Sequence, residues 1–351
     1  MVAEKHPFVF LEAIERLVEQ IRADDTETGE LLRIFVVLNP VAGFTNATAF
    51  RRRLRRFCKY YHCLHEVHET REGEDLKPVI DQAIRNGYQI FVAAGGDGTI
   101  SQLASCLAYT GIPMGIIPVG TGNALARGLG LPQDFASAFR LIAGKHEYRM
   151  LDALRINGQY HVLNAGVGVT SKVVLNTPRP VKRRYGMLAY VWEAVKALFG
   201  IQPHSFRLTV DGRKYRMRAS EVFIACGGWL GFQLPFTDLN IQPDDGRVDV
   251  FVVKARNLWG YIGLGFNLLF GGRSRALPMK HIPAYREVVI ETRRPLPVQS
   301  DGDWIGETPV RIEVCPQAVR LIVPSKESDV WSRLFSPLPP LANLRKPTAI
   351  S

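Results

Sequence analysis

The most constraining stretch of the chain is residues 89–108. There an apolar, β-rich run (QIFVAA) passes directly into Gly95-Gly96-Asp97-Gly98-Thr99 and then into a helix-compatible segment, ISQLASCLA. Glycines at such a junction let the backbone come within hydrogen-bonding distance of a phosphate, and the helix N-terminus offers N–H groups and a partial positive charge. Three glycines around one Asp exceed what an ordinary strand-to-helix turn needs, so the loop reads as a phosphate cradle. Two similar loops lie in the same half: Asn39-Pro40-Val41-Ala42-Gly43 after the run RIFVVL, and Pro118-Val119-Gly120-Thr121-Gly122-Asn123 after residues 113–117.

The strand-like runs at 33–38, 63–69, 89–94 and 113–117 alternate with helical segments, one of them at 75–86. That alternation predicts a parallel, doubly wound α/β layer structure with all three loops at the carboxyl ends of strands, where open α/β sheets bind ligands. The chain lacks GxxxxGK[ST], and Leu125 stands where a dinucleotide fingerprint needs its third glycine, so a standard P-loop or Rossmann enzyme is disfavoured. After about Asp152 the pattern changes to short alternating runs at 153–156, 160–165, 205–210, 221–226, 247–253 and 287–292, the signature of an antiparallel β-rich domain. Helical segments at 186–199 and 258–270 interrupt it. An N-terminal helix (8–22) with a polar linker precedes the first domain, and a Pro-rich tail follows residue 325.

Charge and apolar content limit the partners. The net charge is +11, with basic runs at 51–56, 179–184 and 213–218, which favours an anionic partner such as a nucleotide or an anionic membrane. A nucleic-acid binder is disfavoured because no recognisable module and no interleaved aromatics accompany the charge. The longest apolar stretch, 258–270, is too short to cross a bilayer and contains Asn267. The first residues show no basic n-region followed by an apolar h-region, which points to the cytoplasm. Five scattered cysteines suggest reduced thiols. The sequence cluster Cys58, His62, Cys63, His65 and His68 matches none of the closed zinc patterns.

NPVAG (39–43), GGDGT (95–99) and PVGTGNALAR (118–127), in this order and spacing, resemble the catalytic domain of diacylglycerol kinases and of the related sphingosine and bacterial lipid kinases. NAGVGV (164–169), PDDGRVDV (243–250) and QSDGDWIGETPV (299–310) extend the resemblance over residues 32–325. The fold this implies is an α/β N-terminal domain with a parallel sheet, like that of NAD kinase and phosphofructokinase, followed by a β-rich antiparallel, sandwich-like domain. The implied division is 1–31 for helix and linker, 32–151 for nucleotide binding, 152–325 for lipid, with its last strands returning to the first domain, and 326–351 for the tail.

The implied activity is transfer of the ATP γ-phosphate to a lipid hydroxyl, with Mg²⁺, by a cytoplasmic enzyme peripherally associated with an anionic membrane. By resemblance the ATP site would comprise Asn39, Gly43, Thr70, Gly95, Gly96, Asp97, Gly98, Thr99, Thr121 and Asn123. Asp97 would organise the catalytic Mg²⁺. Asp301 and Asp303 match the family's Asp-Gly-Glu, where a carboxylate accepts the hydroxyl proton; Asp303 replaces the usual Glu, which leaves the choice of base between the two open. Asp245, with the carbonyls of Gln242 and Arg247, would hold a structural Mg²⁺. Asp97→Ala and Asp301→Ala are each expected to abolish activity with the fold intact. An NAD kinase-like enzyme of a soluble substrate and a non-catalytic lipid- or nucleotide-binding protein are the alternatives. The acceptor lipid and the oligomeric state, a homodimer included, stay open.

Overall fold

A computed structural model describes residues 31–43, 46–177, 193, 196, 201–227, 242–257, 259–263 and 279–325. The expected N-terminal helix, the insertion at 186–199 apart from Glu193 and Lys196, most of the apolar segment 258–270 and the tail lie outside the described residues.

Four parallel strands form the first half: β1 (Arg33–Leu38), β2 (Leu64–Glu69), β3 (Ile90–Gly95) and β4 (Met114–Pro118), side by side in the order β2-β1-β3-β4. Every residue of β3 and β4 is buried, as expected of strands covered on both faces. One face packs on α1 (Ala47–Tyr60) and α5 (Phe135–Ala143) through Val36, Leu38, Val92, Phe50, Leu54 and Phe139. The other packs on α2 (Lys77–Arg85) and α3 (Asp97–Leu107) through Phe35, Phe91, Ile80, Ile100 and Leu103. Helix α1 is capped by Asn46, whose side chain accepts the Ala49 N–H at 3.1 Å, and it buries Phe50, Leu54 and Cys58 at helical spacing while its arginines face outward. A short α4 (Ala124–Gly128) follows the third glycine loop.

The second half is antiparallel. Strands β7 (Asn164–Gly168), β10 (Glu221–Ala225), β11 (Val248–Val253), β12 (Met279–Ala284), β14 (Pro297–Ser300) and β15 (Asp303–Glu307) make a six-stranded sheet in the order β12-β11-β10-β7-β14-β15. The long β16 (Val310–Val323) returns to the first sheet. It pairs with β4 in parallel and with β5 (Glu147–Ile156), β13 (Glu287–Thr292) and, beyond β13, β8 (His204–Val210) and β9 (Arg213–Ala219) continue the ten-stranded array. The inner faces of the two sheets share one core that includes Phe206, Leu208, Val222, Ile224, Val250, Ile290 and Ile312. The architecture is thus the expected α/β unit with a mostly parallel sheet, followed by an antiparallel β unit.

One local expectation needs correction. The run at 160–165 is not one strand but β6 (Gln159–His161) and β7, because the Asp301 carboxylate takes the N–H groups of Val162, Leu163 and Asn164 and bends the chain between them. The basic run at 213–218 lies on β9, the last strand of the ten-stranded sheet among the described residues, where Lys214, Arg216 and Arg218 are spaced two apart.

Candidate active site

Because β1 to β4 are parallel and in register (Leu38 beside Glu69 and Ala94, Gly95 beside Pro118), their following loops meet along one sheet edge. The contact between loops is close. A Cβ on Gly120 would lie 2.5 Å from the Gly96 Cα, and one on Gly43, whose φ is +58°, would lie 2.3 Å from the Val119 carbonyl oxygen. Glycine is therefore required for backbone to meet backbone here. We expect Gly120→Ala to lower nucleotide affinity by at least about tenfold and to lower Tm, since Gly96 and Asn123 must move aside. Isothermal titration with an ATP analogue checks the first effect and a thermal melt the second.

The individual residues divide by role. Gly96 caps α3 and Asp97 begins it, so the amides of Asp97 and Gly98 lie in the first turn, which has no intrahelical acceptors. Thr99 was expected at the phosphates, but its side chain is buried: it accepts the Asn39 Nδ2–H at 3.3 Å, and its N–H donates to the Gly96 carbonyl at 3.0 Å. It braces the first loop against the second. Gly95 is buried, and a Cβ there would lie 2.3 Å from the Thr99 hydroxyl oxygen. Asn39 also accepts the Val41 N–H at 3.1 Å, and the Thr70 N–H donates to the Leu38 carbonyl at 2.9 Å, which holds the chain after β2 at the same edge.

Asp97 Oδ1 accepts the Leu125 N–H at 3.3 Å, joining α3 to α4. Thr121 is exposed at the mouth of the third loop. Asn123 adopts a left-handed conformation (φ 48°), is 6% exposed, and its Oδ1 has no partner among the described residues. A buried amide with an unused polar atom at the meeting point of the glycine loops suits a polar ligand group.

The acidic pair sits on the hairpin β14–β15. Ser300 pairs with Asp303, and the intervening Asp301 and Gly302 both have positive φ (51° and 83°), a two-residue turn of the kind Asp-Gly favours. An Asp-Gly turn usually displays its carboxylate to solvent, but the Asp301 side chain is only 4% exposed. Its two oxygens accept the N–H groups of Val162 (3.1 Å), Leu163 (3.1 Å) and Asn164 (2.9 Å) and a short hydrogen bond from the Ser101 hydroxyl. These four donors fill the acceptor capacity of a carboxylate. Ser101 lies one helical turn after Asp97 on α3, so Asp301 anchors the hairpin to the helix that begins at the second glycine loop. Removing Asp301 would leave three backbone N–H groups unpaired, which corrects the expectation that Asp301→Ala spares the fold. Asp303 is exposed at the start of β15.

The structure adds partners that sequence reasoning overlooked. Asn164 accepts a hydrogen bond from Gln299 Nε2 at 3.0 Å, and Gln299 Oε1 accepts the Gly302 N–H at 3.2 Å, which stiffens the turn. Asn164 belonged to a recognised motif; Ser101, His161 and Gln299 carried no signal beyond position. His161 Nδ1 lies 3.8 Å from Asp301 Oδ2. Burial pushes this imidazole below its ordinary range, against the pull of the Asp301 and Asp303 carboxylates.

Glu221 is a further buried group. It pairs with Gly168 across β10 and β7, accepts the Thr170 N–H at 3.0 Å and the Thr170 hydroxyl, and caps α6 (Val169–Asn176). Burial raises its carboxyl to about 7 from an ordinary 4.5. The folded state therefore holds this proton over a range where the unfolded chain has released it, and stability falls as pH rises from about 5 towards 7. A shift of this size corresponds to about 3 kcal/mol above pH 7. Glu221→Gln should flatten the dependence of Tm on pH between 5 and 8; an unchanged slope would assign the dependence elsewhere.

Catalytic Mg²⁺ needs one or two carboxylates and the substrate's phosphate oxygens, and Asp97 at the glycine loops fits that donor set. The expected structural Mg²⁺ site does not fit. The Asp245 carboxylate is paired with the Arg247 guanidinium at 3.0 Å, and Arg149 takes Asp244 through two hydrogen bonds at 2.7 and 2.8 Å. Asp152 accepts the Gly246 N–H at 2.8 Å, while its own N–H donates to the Pro243 carbonyl at 2.7 Å. Protein donors thus hold the turn after Gln242. Cys58 and Cys63 are buried thiols. No helix among the described residues is long and apolar enough to cross a membrane.

The chain is similar to known proteins over most of its length. Residues 33–156 match the model of the diacylglycerol kinase catalytic domain, and residues 162–323 match that of the YegS C-terminal NAD kinase beta sandwich-like domain. The diacylglycerol kinase of Bacillus subtilis strain 168 is 25% identical over 305 residues, covering 85% of this chain and 98% of its own length. An uncharacterised Synechocystis protein is 27% identical over 322 residues, covering 86% of this chain and 72% of its own. Two crystal structures from Bacillus anthracis str. Sterne superpose on the chain. One, at TM-score 0.71 and 26% identity, covers 85% of this chain and 97% of that one. The other, of a diacylglycerol kinase at TM-score 0.63 and 24% identity, shares the fold over 84% of this chain and 98% of that one.

Proposed function

The chain belongs to the diacylglycerol kinase catalytic domain family, with the YegS-type β domain following it, and from that premise we propose that it transfers the γ-phosphate of ATP to a lipid hydroxyl. The observation that carries this reading is the meeting of the three glycine loops at one sheet edge, with the acidic hairpin tied to the same helix through Ser101 and Asp301. Residues 32–151 would bind the nucleotide and 152–325 the lipid, in a peripheral enzyme working from the cytoplasm.

Phosphoryl transfer demands positioning and charge stabilisation more than covalent chemistry. In this reading the first-turn amides of α3 at Asp97 and Gly98 hold the phosphates, aided by the helix dipole. The Asn123 amide turns its unused polar atom to the nucleotide, while Asn39, Gly43, Thr70 and Thr121 shape its approach. Bound Mg²⁺, held by Asp97 and phosphate oxygens, would screen the negative charge. Asp301, saturated by its donors, positions the hairpin, and Asp303 accepts the proton of the lipid hydroxyl.

The test is an assay with radiolabelled ATP against a panel of diacylglycerol, sphingoid base, ceramide and NAD, with labelled products identified by mass spectrometry. A labelled lipid is expected. Label in NADP alone would move the chain to the soluble-substrate branch, and no label in any product would leave the non-catalytic alternative.

A further inference from the structure

The exposed side of the ten-stranded sheet ends in a concentration of cations that folding does not favour. On the outward face of β8 and β9, Arg207 stands directly opposite Arg216, with Ser205 opposite Arg218 and Thr209 opposite Lys214. All four basic residues are exposed, while the alternate residues Phe206 and Leu208 enter the core. Among the described residues none of the four forms an ion pair. Glu291 lies across from Arg207 on β13 and does not pair with it; the next pair along, Arg311 and Glu287 at 2.8 Å, neutralises itself. Arg293 and Arg294 follow β13 at the end marked by Arg218, both exposed.

Like charges directly opposite one another weaken a strand pair. Protecting an open sheet edge explains cations on β9, which ends the sheet, but not Arg207 on β8, which lies between β9 and β13. A nucleic acid is the poorer match. The outward positions hold no aromatic ring on which a base could stack, and a flat sheet face does not enter a groove. A plane of negative charge does match a flat array of basic side chains on short spacing.

We propose that this outward face of β8–β9, formed by Arg207, Lys214, Arg216 and Arg218, docks the protein on the anionic lipid surface from which it draws its acceptor. The assignment rests on the lipid kinase reading for its purpose and on the charge pattern for its place. Each arginine near an anionic surface contributes enough that losing two weakens binding roughly thirtyfold.

The experiment is co-sedimentation of the full chain with vesicles of phosphatidylcholine containing phosphatidylglycerol, and with phosphatidylcholine alone. The wild type should bind the anionic vesicles and release them as salt rises. The double variant R207Q/R216Q should lose roughly thirtyfold in affinity with no fall in Tm, because a repulsive pair has been removed. R52Q/R55Q, on the outer face of α1, should bind as the wild type does. Equal binding by R207Q/R216Q, a matching loss in R52Q/R55Q, or tighter binding of a DNA duplex than of vesicles at equal phosphate would each overturn the assignment. Phosphorylation of detergent-dispersed lipid separates this question from the activity. A wild type active in micelles but indifferent to phosphatidylglycerol refutes the docking face alone, whereas salt-sensitive vesicle binding with no kinase activity refutes the lipid kinase reading alone.

Discussion

Asp97→Ala is expected to lower kcat by at least about 10³-fold while shifting Tm by only a few degrees. The carboxylate accepts the Leu125 N–H at 3.3 Å, a bond worth about 1 kcal/mol. Its larger role in this account is electrostatic, beside the close approach of the Gly96 and Gly120 backbones, where a Cβ on Gly122 would lie 2.9 Å from the Asp97 carboxylate. Steady-state kinetics beside a thermal melt checks both parts. A variant that keeps a tenth of wild-type turnover would remove Asp97 from the phosphate site.

The second large effect separates two neighbouring carboxylates. Asp301→Ala should both inactivate the protein and destabilise it by roughly 3–5 kcal/mol, since the N–H groups of Val162, Leu163 and Asn164 and the Ser101 hydroxyl lose their acceptor together. Asp303→Ala should cost no more than about 0.5 kcal/mol at its exposed position yet lower kcat by about 10²- to 10⁴-fold. Denaturant unfolding and kinetics on the two variants read both quantities. If Asp303→Ala retains full activity, proton acceptance belongs to another group.

Much of the first half could be read from residues. Runs such as FVVL and FVAAG are apolar throughout because both sheet faces are covered, and their glycine-rich endings marked the strand ends to within a residue or so. The second half was harder to read. β16 contains Pro316 and a left-handed Gln317 where its pairing with β5 shifts register, so its pattern breaks in the middle of a continuous strand. RKYRMR could be read only as a basic run because an exposed strand shows Lys214, Arg216 and Arg218 on alternate residues, with Tyr215 and Met217 between them facing inward. The site divided in the same way. Glycines announce themselves through backbone demands, whereas the burial of Asp301 depends on donors more than a hundred residues away, and local sequence carries no trace of that.

The central claim is that a triphosphate is gripped where the three glycine loops meet, facing the acidic hairpin. A crystal structure with a non-hydrolysable ATP analogue and Mg²⁺ tests it most directly. The account predicts the terminal phosphates on the amides of Asp97 and Gly98, beside Gly120 and Asn123, with the Asp303 carboxylate turned towards the γ-phosphate. Nucleotide bound at any other surface, or an Asp303 side chain directed away from an occupied site, would contradict it.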